Sequence, residues 1–385
     1  MRVLLYSYVF WPSVGGIETV TDVLAEHLVK LGHECVVLTE TPLGGRAELG
    51  RSYTIVRHPG WRERWALVRW CSIVHANGAT VAMYPYARAA GVPFVWTHNG
   101  YQVSCVDGLG WAYGAAAPMT PWASLAFHRR RRGWGYALRE ALKLGVRRYV
   151  ARRVDLNLAG SEWVAHRQPL PRQSVTYNPY PLARFRAARS SNDEPYDFAY
   201  VGRLVGEKGL PTLMHAFHRL VSDPVFKHCK LAVVGGGDLE PELQLLAQRL
   251  ELMQNVQFLG PRYGAELVTT MAMARVGVVP SDWEEPYGGV TLEWLSAGKG
   301  VIVSEQGGHA ECAGDAGLRF KNGDIGALHL CMASLMTDPD RVAQLRRAAI
   351  VRVDHFAERA LTQNYVEHYE LALQRSHKAA QPGPA

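Results

Sequence analysis

The chain has few cysteines, no long apolar run and fewer acids than bases, and each shortage excludes something. Its six cysteines (Cys35, Cys71, Cys105, Cys229, Cys312 and Cys331) are scattered over 385 residues without a C-x-x-C pair. That spacing argues against a disulfide framework and a structural zinc site, and it fits a reducing cytosol. No apolar run reaches the ~20 residues that cross a bilayer. The opening Met1–Trp11 is apolar enough to resemble a signal peptide. It lacks a small-residue cleavage site, and Gly15-Gly16 leads straight into an amphipathic helix, so a buried first strand is expected. Gly235-Gly-Gly237 lacks the full G-x-G-x-x-G fingerprint of a dehydrogenase, and Asp238 is too close to be its ribose-binding acid. The one literal D-x-D, Asp338-Pro-Asp340, falls between two helical stretches with a proline inside, which reads as a turn. No metal and no other cofactor is expected.

What is present is an ordinary globular composition. With 48% hydrophobic and 20% charged residues, the chain can bury a sizeable core, and its length suits two or three domains. Apolar strand-like runs (residues 2–8, 34–39, 72–75, 92–97, 155–158 and 174–177) alternate with helical patterns such as 17–31 and 137–153. Ser161 has the chemistry of a helix N-cap. Pro179, Pro181 and the polar stretch Arg189–Pro195 mark a linker. The alternation then restarts, with strands expected at 197–201, 230–234, 256–258, 276–279 and 301–304. Such alternation implies parallel sheets covered on both faces. The expected organisation is an α/β domain over 1–180, a second over 195–355, a last helix over 356–373 and a disordered tail over 374–385.

Two segments carry chemistry. In Ser281–Glu293, the carboxylates of Glu285 and Glu293 flank Gly288, Gly289 and Val290, where a helix begins. A helix start offers unpaired N–H groups and positive potential to a phosphate, and carboxylates accept hydrogen bonds from neighbouring hydroxyls. Acidic helix starts are also common without any ligand. The second segment, Val201–Gly209, follows a strand and precedes a helix, so Arg203 and Lys208 stand at a carboxyl strand end, where open α/β sheets bind ligands. Two cations with Glu207 as the one acid between them would neutralise a diphosphate. A nucleotide sugar fits both segments.

With these motifs in place, the chain resembles glycosyltransferase family four, the retaining transferases of the GT-B fold (glycosyl transferases group 1), with two Rossmann-like domains facing across a cleft. Glu285…Glu293 resembles the family's paired glutamates and Gly202-Arg203…Lys208-Gly209 its diphosphate loop. Val233–Asp238, Val14–Glu18, Thr97–Gly100, Gly307–Glu311 and Gly314–Gly317 complete the order. Tyr287 and Gly300 depart from the usual pattern without touching the charged groups. The resemblance implies that the last helix packs back onto the first domain. It implies that Arg203 and Lys208 hold the diphosphate with the backbone of Gly288–Val290, while Glu293 takes the ribose and Glu285 the transferred sugar. It places Gly15 and Gly16 beside the phosphates or acceptor and His98 on the donor sugar. It also implies retention by front-face attack, the leaving phosphate taking the acceptor's proton, with Glu18 and Asp107 as candidate bases. Other expectations on the same scaffold are a nucleotide-sugar epimerase, a phosphorylase or a non-catalytic membrane-associated scaffold.

The net charge of +7 is concentrated. Arg129–Arg132, Arg139, Lys143, Arg147, Arg148, Arg152 and Arg153 accompany one acid, Glu140. Within 137–153, Leu138, Ala141, Leu142, Val146, Tyr149 and Val150 recur at helical spacing opposite Arg139, Lys143 and Arg147. Such a helix reads either as an element of an anionic membrane surface, with Trp122 and Trp134 beside it, or as a core-packed helix with a solvated basic face. The first reading suits a saccharide or lipid-linked acceptor in cell-surface polysaccharide or lipopolysaccharide synthesis, and a cytoplasmic protein peripheral on the inner membrane face. Nucleic acid is not expected, because no recognition module accompanies the charge.

Overall fold

Alternate residues of the first strand, β1 (Arg2–Ser7), face opposite ways, and both sets are apolar. Val3 and Leu5 enter one core while Leu4 and Tyr6 enter another. A strand buried on both faces belongs in a parallel sheet with helices on either side. The computed structural model, which describes residues 1–13, 15–45, 50–190 and 193–380, contains two such sheets in two compact units. The first unit takes residues 1–110, 117–181 and 356 onward, and the second takes 111–116 and 182–355.

In the first unit, β1 is joined by β2 (Glu34–Thr39), β3 (Thr54–Arg57), β4 (Ile73–Asn77) and β5 (Phe94–His98). The hairpin β6 (Trp111–Ala112) with β7 (Ala115–Ala116) belongs to the second unit, and β8 (Leu156–Ala159) and β9 (Gln173–Val175) follow in the first. The parallel sheet has the order β3-β2-β1-β4-β5-β8-β9. Its helices are α1 (Gly16–Lys30), α2 (Trp61–Trp70), α3 (Tyr84–Ala90), α4 (Pro121–Ala151) and α5 (Glu162–Arg167). Ser161 caps α5, its Oγ accepting the Val164 N–H at 3.2 Å. Helix α4 is broken at Gly133, whose φ of 81° and ψ of 177° are not helical.

The second sheet has the order β12-β11-β10-β13-β14-β15, all parallel. Its strands are β10 (Tyr196–Val201), β11 (Leu231–Val234), β12 (Val256–Gly260), β13 (Ala274–Val279), β14 (Gly300–Ser304) and β15 (Gly317–Phe320). Around it lie α6 (Leu210–Val221), α7 (Glu240–Arg249), α8 (Gly264–Ala272), α9 (Gly289–Ser296), α10 (Gly308–Ala313), α11 (Ile325–Thr337) and α12 (Pro339–Val353). Phe198, Leu231, Val276 and Ile302 pack on one face against Leu213 and Phe217 of α6 and Met332 of α11. On the other face, a Cβ on Gly277 would lie 2.5 Å from the Trp294 indole, so the missing side chain seats α9 against the sheet.

Three expectations change. The last helix, α13 (Glu358–Ala380), packs on the first unit through Tyr365, Val366 and Tyr369, with the Tyr369 hydroxyl 2.8 Å from His75 Nδ1. It runs past the expected end at 373, so 374–380 are helical, while 381–385 lie outside the described residues. The linker begins in helical structure, while residues 191 and 192 lie outside the described residues. Ala183–Ser190 forms a 3-10 segment in the second unit, where Arg189 Nε donates to the Ser296 carbonyl at 2.8 Å. Finally, α4 buries Ala137, Glu140, Leu144, Val150 and Ala151 over this stretch, whereas Leu138, Leu142, Val146 and Tyr149 are exposed. The apolar stripe read from spacing therefore faces outward over most of its length, with Val150 buried.

Candidate active site

In an open α/β sheet, the loops at the point where strand order reverses diverge and leave a crevice at the carboxyl edge. In the second unit that point lies between β10 and β13. The loop after β10 turns through Gly202 and a single 3-10 turn, Gly206–Lys208, into Gly209 and α6. Gly209 has φ +67°, and a Cβ there would lie 1.9 Å from the Pro280 carbonyl oxygen, so only glycine fits. The Asp282 N–H donates to the Glu207 carbonyl at 3.1 Å. Two loops distant in sequence are thereby fastened together, and Lys208 is brought to Glu285.

Lys208 and Glu285 form an ion pair with both side chains mostly buried. The same carboxylate oxygen accepts from Trp283 Nε1 at 3.1 Å and faces His309 Nε2 at 3.2 Å. Because a carboxylate can only accept, Nε2 carries the proton, and Nδ1 lies 2.9 Å from the buried Thr291 hydroxyl. The loop after β14 holds His309 in place. The Gly308 N–H donates to the Glu285 carbonyl at 2.7 Å, and a Cβ on Gly307, at φ +120°, would lie 2.7 Å from the Glu285 nitrogen. Burial alone would raise the Glu285 carboxyl, but the Lys208 ammonium and His309 outweigh it and hold the group well below the usual carboxylate range. A cation, a carboxylate fixed as an anion and an oriented imidazole therefore share one crevice.

Glu293 sits on α9 and belongs to a separate contact, 3.6 Å from Arg184 Nη2. Burial pushes its carboxyl up to about 7 against the opposing pull of Arg184. The start of α9 is tightly packed, since a Cβ on Gly288 would lie 2.9 Å from Cys312 Sγ and from the Gly308 carbonyl. Gly289 and Val290 form the first turn, whose N–H groups have no intrahelical acceptor.

Arg203, expected beside Lys208 at the diphosphate, has a guanidinium that is 69% exposed and lies 3.4 Å from Glu207, the acid between the two cations. In the first unit His98 is fully buried at the end of β5, with Nε2 2.8 Å from Asn157 Oδ1 and Nδ1 without a partner among the described residues. Burial pushes its pKa down to about 4 despite the Asn157 bond. A Cβ on Gly15 would lie 2.6 Å from the Glu18 carboxylate, which folds back over the start of α1 and accepts from Ser13 Oγ at 2.8 Å. Gly16 similarly leaves room for the Tyr180 hydroxyl. Asp107 accepts the Leu109 N–H at 2.8 Å and faces His128 Nε2 at 3.2 Å, so it braces its own loop. Glu18 and Asp107 are thus committed to local structure.

The sequence reading missed His309, Thr291, Trp283 and Arg184. His309 had a signal, because it stands in Gly307-Gly-His-Ala-Glu311, and Trp283 and Thr291 lie inside Ser281–Glu293; Arg184 had none beyond residue type. Asp338 of the D-x-D caps α12, Oδ1 accepting the Arg341 N–H at 2.8 Å. Among the described residues no group of three or more His, Cys, Asp or Glu side chains could hold a metal, and no helix is long and apolar enough to cross a membrane.

Residues 183–352 match the family model described as glycosyl transferases group 1, and residues 14–168 the one described as glycosyltransferase family 4. The chain is 28% identical over 198 residues to the glycogen synthase of Mycobacterium tuberculosis, covering 51% of this chain and 47% of that one. It is 31% identical over 222 residues to D-inositol 3-phosphate glycosyltransferase 2 of Catenulispora acidiphila, covering 53% and 52%. The chain thus spans about half the length of the curated relatives it matches. Among solved structures it is similar to Anabaena HepE in complex with UDP, with a TM-score of 0.71, 18% identity, and coverage of 96% of this chain and 100% of that one. The fold is GT-B, with two Rossmann-like units, and the chain belongs to glycosyltransferase family four.

Proposed function

We propose that this protein moves a sugar from a UDP- or GDP-linked donor to a saccharide or lipid-linked acceptor, as a metal-independent hexosyltransferase that retains anomeric configuration. The observation that carries the reading is the Lys208–Glu285–His309 cluster at the reversal point of the second sheet. Lys208 is placed to meet the donor diphosphate, and the exposed Arg203 is long enough to add a second cation. The N–H groups at Gly288–Val290 supply further donors, and Glu293 accepts from the ribose. Glu285, fixed as an anion, takes sugar hydroxyls and faces the positive charge that grows at the anomeric carbon. His309 positions Glu285, with Thr291 behind it.

In the reaction, the acceptor hydroxyl oxygen bonds to the anomeric carbon while the bond from that carbon to the diphosphate oxygen breaks. The hydroxyl proton passes to the departing diphosphate on the same face, which gives retention. Charge accumulates on the diphosphate, and fixed cations stabilise that charge more than the ground state. The basic surface over 129–153 suits an anionic membrane, at ~1 kcal/mol per basic residue near the surface. We therefore place the reaction at the cytoplasmic membrane face, in the assembly of cell-surface polysaccharide or lipopolysaccharide.

The test is calorimetry with UDP and GDP, followed by incubation of the matching donors with a sugar-lipid acceptor mixture in EDTA. One diphosphate binds, and a product with the donor's anomeric configuration forms with EDTA present. Conversion of the donor without acceptor would indicate an epimerase, and failure to bind either diphosphate would overturn the reading.

A further inference from the structure

The first sheet also has a reversal point, between β1 and β4, and a groove opens there. Tyr8 follows β1, Asn77 ends β4 and Ile17 lies in the first turn of α1, next to Gly16. These residues line a cavity of about 830 Å³ whose far wall is Leu142, Lys143, Val146 and Arg147 of α4. A second hollow of about 620 Å³, lined by Tyr84, Pro85 and Tyr149, shares Leu142 and Val146 with the first. Both hollows lie against α4 and make up its trough. Of its lining residues, Leu142 and Tyr149 are 70% and 53% exposed, and Leu138, one turn before Leu142 on the same helix, is 66% exposed.

The walls are apolar, and the cations are concentrated at one place. Lys143 and Arg147 are one helical turn apart and both line the larger cavity. Glu140, the acid of this stretch, already accepts from Arg139 at 3.1 Å and Lys143 at 2.9 Å. Arg147 has no hydrogen bond or ion pair among the described residues, although it is partly buried. Its desolvation lowers its pKa, with Glu140 and Cys105 opposing. A partly desolvated guanidinium without a paired anion is unfavourable, and a bound anion would offset that. From Leu138 to Tyr149 the apolar stripe extends ~16 Å along the helix, a length suited to an alkyl chain and far beyond any saccharide contact.

We propose that this trough is the acceptor subsite and that it takes an amphiphile. A phosphate bearing the acceptor sugar lies at Lys143 and Arg147, and its hydrocarbon chain lies along Leu142, Val146 and Tyr149. The inference deepens the transferase reading above and rests on it. It selects the lipid-linked acceptor over the free saccharide, because an all-polar ligand would leave the apolar walls unused.

The experiment uses the full chain and n-dodecyl phosphate below its micelle-forming concentration, followed by calorimetry. UDP is titrated in parallel. Dodecyl phosphate should bind about tenfold or more tightly than inorganic phosphate or the uncharged dodecyl maltoside, and tighter than octyl phosphate by at least about tenfold, since each buried methylene is worth about fourfold. Arg147→Gln should weaken it about tenfold, as expected for a lost charge-assisted bond, and Arg147→Lys should retain most of the affinity. Lys143→Gln, at an exposed position, provides a second variant that leaves folding intact. UDP affinity should be unchanged in all three. Equal binding of the phosphate and the maltoside, unaltered affinity in both Gln variants, or binding to anionic phospholipid vesicles but not to monomeric dodecyl phosphate would each overturn the proposal. UDP binding without dodecyl phosphate binding would sink this inference alone, whereas absence of UDP binding would sink the transferase reading beneath it.

Discussion

Replacing Glu293 by Gln tests the electrostatics of the candidate site through stability before any substrate is added. The Glu293 carboxylate is 17% exposed, and its cationic neighbour, Arg184, lies 3.6 Å away and is itself 45% exposed. Water screens such a partner, so it cannot repay the loss of hydration, and burial carries the pKa from 4.5 to about 7. The sign follows directly. Between those two values the folded protein holds a proton that the unfolded chain has released, so stability falls as pH rises through this range and levels off above it. The gap corresponds to ~3 kcal/mol. Glutamine does not titrate, so the variant should match the wild type near pH 5 and exceed it by up to ~3 kcal/mol at pH 8. Glu285 has its pKa depressed, so its contribution is lost only at lower pH and is flat over this window. Urea midpoints of both proteins at half-unit steps from pH 5 to 8 measure the difference, in which other titrations cancel. A difference that does not change with pH would refute the reasoning. Binding supplies an independent arm: if ionised Glu293 accepts from the ribose, UDP-glucose affinity should be about tenfold lower at pH 6 than at pH 8, and flat in the variant.

Other expectations concern the Lys208 loop and its neighbours. Lys208→Ala and Glu285→Ala should each lower turnover by roughly 10²–10³-fold, and near-normal rates in either would remove that residue from the mechanism. His309→Ala strands the buried Thr291 hydroxyl and takes one partner from Glu285, costing ~1–3 kcal/mol in stability. An unchanged melting temperature would mean that the Thr291–His309–Glu285 chain does not form. Gly209→Ala places a Cβ against the Pro280 carbonyl at a positive φ, and should cost ~2 kcal/mol or more together with UDP affinity; calorimetry on the purified variant decides.

Much of this molecule is written locally in its residues. Short runs apolar at every position, such as Val3–Tyr6, suit strands buried on both faces, and their alternation with helical periods points to two parallel sheets. The loops bearing Lys208 and Glu285 were identifiable for the same reason, because strand ends, glycine turns and helix starts leave signatures within ten residues. Tertiary structure decided which charged groups meet. Lys208 and Glu285 are 77 residues apart, and His309 is a further 24 along. Their meeting depends on strand order and on backbone contacts such as that of Gly209 with Pro280, which no local pattern encodes. Arg203 went to Glu207 because that acid lies one turn away, and Ala183–Ser190 ordered because α9 offers it the Ser296 carbonyl. The outward face of α4 had the same origin. Periodicity states that a helix has an apolar stripe, but which stripe is buried is set by the surface it meets, and that surface comes from residues far away in the chain.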